Sequence, residues 1–246
     1  MSSLELEISS ELGVVWRVGY EPDLWRWPDW QYATDSGLFN GRWDDQVGEF
    51  RTLYTCQSLL GCFLELLAHF RPSAAVLTGL AEIENDDGSV EEHDEAADGA
   101  VGYSWLDGRA YGSAQQAGRY CFITHSRTVA ALQQHYPFQR HGIALADVDT
   151  ALLKDVRDRV LTRSIARWLY DLRDQDRSEL VDGVEFRSRH GDDICVWAVF
   201  ERAGDEPRSR LIEPVEPAQR LTDETPELLE AFSRFGLHWH ERDDDS

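Results

Sequence analysis

Residues 51–70 read RTLYTCQSLLGCFLELLAHF, and the change of pattern inside this stretch decides the fold class. Arg51–Thr55 has the β-branched and aromatic composition of a strand. From Gln57 to Phe70 the chain is apolar on nearly every side, and Ser58 is placed to cap a first turn, which predicts a buried helix. A strand that runs directly into a core helix belongs to a mixed architecture. The flanks continue it. Upstream, LGVVWRVGY (Leu12–Tyr20) reads as a strand and EPDLWRWPDWQY as an ordered aromatic loop. Downstream, Ala74–Ile83 is strand-like, and Glu82–Asp98 then holds nine carboxylates with no Lys or Arg, the composition of a solvated loop.

Further along, GRYCFIT (Gly118–Thr124) is a strand and Ser126 caps an amphipathic helix through Leu132. Two more helices fit ALLKDVRDRV and TRSIARWLYDL, the second with an apolar stripe of Ile165, Trp168, Leu169 and Leu172. Strands return at GVEFRS, DICVWAVFE and RLIEPVEP, before a last helix from Thr225-Pro226 to a stop at Gly236, with ERDDDS as a frayed tail. With no repeat and no Pro/Ser linker, the expectation is a single α+β domain over 1–246. Central β-sheets are flanked by helices, 82–98 is a loop insertion, and 208–246 is a C-terminal extension.

Composition sets outer limits on function. The chain has 246 residues, is 42 % apolar and carries 9 Trp, so a core is available. Lys and Arg number 24 against 46 Asp and Glu, a net charge of −22, which repels phosphate backbones and makes nucleic acid an unsuitable partner. The opening MSSLELEISSELG lacks the regions of an export signal, and no stretch approaches the ~20 apolar residues of a membrane span, so a cytoplasmic location is expected. Cys56, Cys62, Cys121 and Cys195 lack zinc or disulfide spacing, three of them sit in apolar strings, and no metal is expected.

The sequence contains no GxxxxGK[ST], no strand-to-helix GxGxxG, no GxSxG and no HExxH. Three oddities remain. Glu65 is the one formally charged residue of its apolar helix, so it has a partner, faces a cleft, or shares a narrow solvent-facing stripe with His69. In Gly41-Arg42-Trp43 a guanidinium beside a ring can grip a phosphate while the ring stacks on a base; the plainer alternative is an Arg pinned by cation–π packing or paired with Asp44 or Asp45. Phe186-Arg187-Ser188-Arg189-His190 is a polar cluster at a strand end or simply a basic hairpin turn.

In order, WRVG (Trp16–Gly19), GRW (Gly41–Trp43), LYTCQSLLGCFLELLAHF (Leu53–Phe70), LTRSIARWLYD (Leu161–Asp171) and DGVEFRSRHGDDICVWAVFE (Asp182–Glu201) resemble the RES domain, over about residues 12–201. That family includes the toxins of RES/Xre toxin–antitoxin pairs. The resemblance implies a fold like that of the ADP-ribosyltransferase toxins and an enzyme that destroys NAD by phosphorolysis or hydrolysis of the nicotinamide–ribose bond. ADP-ribosylation of a protein, or a non-catalytic interaction module, are the alternatives. Carried over one at a time, the family's Arg falls on Arg42, its Tyr on Tyr54, its Glu on Glu65 and its Ser on Ser188, with Arg17 as a further match and Trp43 beside Arg42 at the NAD site. NAD enters as substrate, with inorganic phosphate as co-substrate and no other cofactor. The implied partners are a helix-turn-helix antitoxin and a second copy of the chain. The chain departs from the compact toxins in its acidic run and in the middle segment WLDGRAYGSAQQAGRYCFITH.

Overall fold

Among the described residues of the computed structural model (4–10, 13–34, 36–72, 99–155 and 159–240), the strand-then-helix pattern of 51–70 is reproduced with shifted bounds. The strands are β1 (Ile8–Ser9), β2 (Val14–Tyr20), β3 (Thr52–Cys56), β4 (Ala100–Gly102), β5 (Arg109–Gln116), β6 (Tyr120–Phe122), β7 (Gly183–Ser188), β8 (Gly191–Phe200), β9 (Ile212–Pro214), β10 (Gln219–Arg220) and β11 (His238–His240). The helices are α1 (Leu59–Leu66), α2 (Ser126–His135), α3 (Thr150–Lys154), α4 (Arg159–Asp171) and α5 (Pro226–Phe235). The mixed α+β class, a central sheet with flanking helices, is therefore what the chain adopts. The expected strand at Ala74–Ile83, the acidic run and the ERDDDS tail lie outside the described residues. No helix among the described residues is long and apolar enough to cross a membrane.

The described chain groups into two compact units. The first comprises Met1–Arg17, Trp25–Gln57 and Gly112–Pro217. Its strands run in the order β1-β6-β7-β8-β3-β2. The middle of this sheet is built by β8, buried at every residue from Ile194 to Phe200, which explains why DICVWAVF reads as a near-continuous apolar run. On one side β8 pairs with β7 (Gly183↔Val199 through Arg187↔Cys195) and on the other with β3 (Thr52↔Phe200 through Cys56↔Val196). Gly183 is fixed by close approach, since a Cβ there would collide with the Ala198 carbonyl. Helix α4 buries Leu161, Ile165, Ala166 and Leu169 as the 3.6-residue period requires, and leaves Trp168 half-buried with its ring edge-on to Tyr136. Phe50, Tyr170 and Phe200 close the core, with Phe50 stacked on Tyr170 at 4.1 Å.

The second unit comprises Val18–Leu24, Ser58–Tyr111 and Ala218–Ser246. Helix α1 opens on the expected cap, Ser58 Oγ accepting the Gly61 N–H at 3.1 Å, and packs on α5. It ends at Leu66, earlier than the apolar run suggests, and a 3-10 turn at Ala68–Phe70 follows. Helix α5 starts and stops at the two signals read from the sequence, Pro226 after Thr225 and Gly236 in the left-handed region at φ +67. The parallel β4–β11 pair had no sequence signal of comparable strength; Trp239 in it stacks on Tyr103 at 4.8 Å and leans on Phe232 at 4.5 Å.

Candidate functional site

The GRW motif forms a tight turn between the aromatic loop and β3. Gly41 is obligatory there: a Cβ would stand 2.5 Å from Asp44 Oδ2 and 2.6 Å from Tyr54 Oη. In the space this leaves, the Gly41 N–H donates to Asp44 Oδ2, the Tyr54 hydroxyl donates to Asp44 Oδ1 at 3.0 Å, and the Trp43 N–H donates to Tyr54 Oη at 2.9 Å. Asp44 is 6 % exposed. Burial raises its pKa, against the Gly41 amide, the Tyr54 hydroxyl and the positive charge of Arg163, which lower it. Burial and the adjacent Asp44 charge push the Tyr54 hydroxyl well above its ordinary value, so it remains a protonated donor.

Arg42 projects from this turn with its guanidinium between two rings, 5.4 Å from the Trp43 centroid and 5.5 Å from that of Phe186, and it donates to the Leu153 carbonyl. The pinned arrangement foreseen as the plainer alternative is thus present, but Asp44 is engaged with Tyr54 and Gly41 instead of serving as its ion partner. The expected stacking role of Trp43 is corrected. Its ring is 0 % exposed and packed on Phe186 at 5.9 Å, so it is a core ring that supports Arg42 and has no open face for a ligand. Arg17 reaches the same neighbourhood from β2, donating from Nη1 to the Tyr54 carbonyl at 2.8 Å.

Phe186 to His190 is the β7–β8 hairpin. The register shifts between Arg187 and Ser188, and Ser188 Oγ, on a residue 1 % exposed, accepts the His190 N–H at 2.9 Å. The hydroxyl therefore shapes the turn two residues beyond the ring that covers Arg42. Arg17, Arg42, Trp43, Tyr54 and Ser188 all stand in the first unit, and Glu65 stands in the second. Glu65 is half-buried on α1, and its Oε1 is buried with no hydrogen-bond partner among the described residues. His69 does not share its helix. It falls in the following 3-10 turn, exposed, with its ring on Phe70 at 3.9 Å.

Two acidic residues received no site role from sequence reasoning, Asp44 being named only as an ion partner of Arg42 and Glu185 not at all. Asp44 is the hub of the turn, and the usable signal was a short acid three residues after a glycine, the spacing at which a carboxylate reaches back to an amide. Glu185 is 5 % exposed and fully answered by Ser9 Oγ, by Trp197 Nε1 at 3.3 Å and by Arg187 at 3.3 Å. That satisfaction marks it as a structural carboxylate.

Residues 14–133 match the family model of the RES domain. The span includes Arg17, Arg42, Trp43, Tyr54 and Glu65, and it ends before Ser188. No curated protein matches the chain. Among solved structures, the crystal structure of the M. tuberculosis MbcT-MbcA toxin-antitoxin complex superposes with a TM-score of 0.41 at 14 % identity, covering 87 % of each chain.

Proposed function

Proceeding from a chain whose residues 14–133 match the family model of the RES domain, we propose that this protein is an enzyme that breaks the bond between nicotinamide and ribose in NAD. The observation that carries the reading is Glu65: a carboxylate with a buried oxygen that has no hydrogen-bond partner among the described residues, in an otherwise apolar helix, at the position of the family's acid. An unbonded buried oxygen costs stability, and such a cost is expected where a site requires charge. Loss of nicotinamide leaves positive charge on the ribose, and a fixed carboxylate lowers the energy of that transition state more than that of the ground state. Arg42, with Arg17, supplies cationic donors for the pyrophosphate; the Tyr54 ring holds the nicotinamide; the Ser188 hydroxyl is the hydrogen-bonding group for the ribose or amide. Phosphate or water then bonds to the ribose carbon as the bond to nicotinamide breaks, giving free nicotinamide and ADP-ribose phosphate or ADP-ribose. On this reading the protein is a toxin, with an antitoxin protein as partner and a second copy of the chain beside it.

Incubation of the purified protein with NAD, with and without inorganic phosphate, tests the reaction by product mass. Free nicotinamide with ADP-ribose phosphate is expected in the first case. Free ADP-ribose in both cases assigns water as acceptor, and ADP-ribose bound to protein replaces this reading with group transfer. Unconsumed NAD overturns it.

A further inference from the structure

We propose that Asp44 is the positioning residue of this site, holding both the Arg42 turn and the Tyr54 ring through one buried carboxylate. The inference rests on the reading of Arg42 and Tyr54 as NAD-binding groups. Its geometry is local. The two carboxylate oxygens divide their work: Oδ2 takes the backbone N–H of Gly41, the residue before Arg42, and Oδ1 takes the Tyr54 hydroxyl at 3.0 Å. Tyr54 Oη in turn accepts the Trp43 N–H at 2.9 Å, on the other side of Arg42. Arg42 is therefore bracketed by two backbone amides that end on the same acid, one directly and one through the tyrosine. A residue so bracketed has little freedom in its backbone, which fixes where its Cα–Cβ bond points; the Trp43 and Phe186 rings then select the direction of the guanidinium.

The same network limits what Tyr54 can do. Its one O–H is given to Asp44 and one oxygen lone pair to Trp43, so the hydroxyl has no proton to offer a ligand. What Tyr54 contributes is a ring held at a set angle, and Asp44 is the group that holds it. Gly41 belongs to the device, because any side chain there would displace both oxygens.

A mutant cycle read in steady-state kinetics with NAD distinguishes positioning from general support of the fold. Asp44→Ala is expected to raise KM about tenfold and to change kcat much less, the size expected for a coupled contact. Asp44→Asn, which keeps one acceptor, falls between Asp44→Ala and the parent. In an Arg42→Ala or a Tyr54→Phe background the further effect of Asp44→Ala shrinks, because the groups it positions are already gone. A KM unmoved in Asp44→Ala, or an effect that persists undiminished in both backgrounds, overturns the proposal. Should Asp44→Ala not fold, Asp44→Asn and Tyr54→Phe carry the same cycle. A parent protein that leaves NAD intact defeats the proposed function separately. The anchor is then decided by melting temperature, where losses in Asp44→Asn and Tyr54→Phe that are fully additive overturn it and non-additive losses sustain it.

Discussion

Helices α1 and α4 are built from opposite kinds of sequence and treat charge in opposite ways. In α1, LLGCFLEL, one carboxylate is set among apolar residues and one of its oxygens is buried without a hydrogen-bond partner among the described residues. In α4, RVLTRSIARWLYD, Arg159, Arg163 and Arg167 recur every four residues along one side, and each guanidinium has a partner, although Arg163 Nε is itself buried with none among the described residues. Arg159 donates to the Asn40 carbonyl, Arg163 to the Asp45 carbonyl at 3.0 Å, and Arg167 pairs with Asp45, Glu49 and Asp171 at 3.5, 2.5 and 2.9 Å. The arginines of α4 rivet the segment that carries the GRW turn, so their charge serves the fold. The charge on α1 has no such service, and a group that weakens its own helix is the better candidate for chemistry.

The sharpest way to break this contrast is Glu65→Gln, which keeps shape and removes charge. The expected result is a fall in kcat of about a hundredfold or more, near 3 kcal/mol of transition-state stabilisation, with KM affected much less. Stability should change little, because the amide leaves a polar atom in the place of the oxygen that has no hydrogen-bond partner among the described residues. Turnover at the parent rate in a folded Glu65→Gln protein removes Glu65 from the mechanism. A large drop in melting temperature shows instead that the carboxylate is a structural partner.

How much of this was legible beforehand follows from the same physics. The period of α4, the cap of α1, the Pro and Gly that bound α5 and the apolar run of β8 are local signals, and each lies within a few residues of its predicted place. The end of α1 was misjudged because apolar composition continues through Leu67 while the backbone already turns at Ala68. The cation–π packing of Arg42 was offered by GRW itself, but the hydrogen-bond partners of Asp44, Arg42 and Ser188 were not legible. Asp44 meets Tyr54 ten residues away and Arg42 meets Leu153 at a separation of 111, contacts set by tertiary packing. Trp43 was misread for the same reason, since nothing in GRW distinguishes a ring that stacks on a ligand from one that fills a core.

On the α4 side of the comparison, Arg167→Ala should cost stability and leave the chemistry alone. Arg167 is 21 % exposed at its side chain, and Asp45, which it answers, is 1 % exposed there. Removing the cation leaves a buried carboxylate held by the Glu49 N–H on Oδ2 and with no hydrogen-bond partner for Oδ1 among the described residues, a loss of about 2 kcal/mol in urea denaturation. A change below the error of the measurement would place Arg167 with ordinary surface pairs.

The smallest effect expected, and the one that probes α4 closest to the proposed site, is the pH dependence of Arg163→Gln. Asp44 has a folded pKa above its ordinary 3.8 because burial outweighs the groups that lower it, and Arg163 is among those groups. A carboxyl raised in this way binds its proton more tightly in the folded state, so its ionisation costs stability. The cost sets in as pH rises above about 3.8, grows through the folded pKa and is constant beyond it. Taking away the positive charge of Arg163 raises that folded pKa further and enlarges the cost. The stability difference between parent and Arg163→Gln should therefore be least in acid, where Asp44 is neutral, and should widen with pH to a plateau of about 1 kcal/mol on top of the lost bond to the Asp45 carbonyl. Urea denaturation at several pH values from acid to neutral reads this directly. A difference that is constant across the range would mean that Arg163 acts through the Asp45 carbonyl alone, and the charge of α4 would then have no hold on the acid that organises the GRW turn.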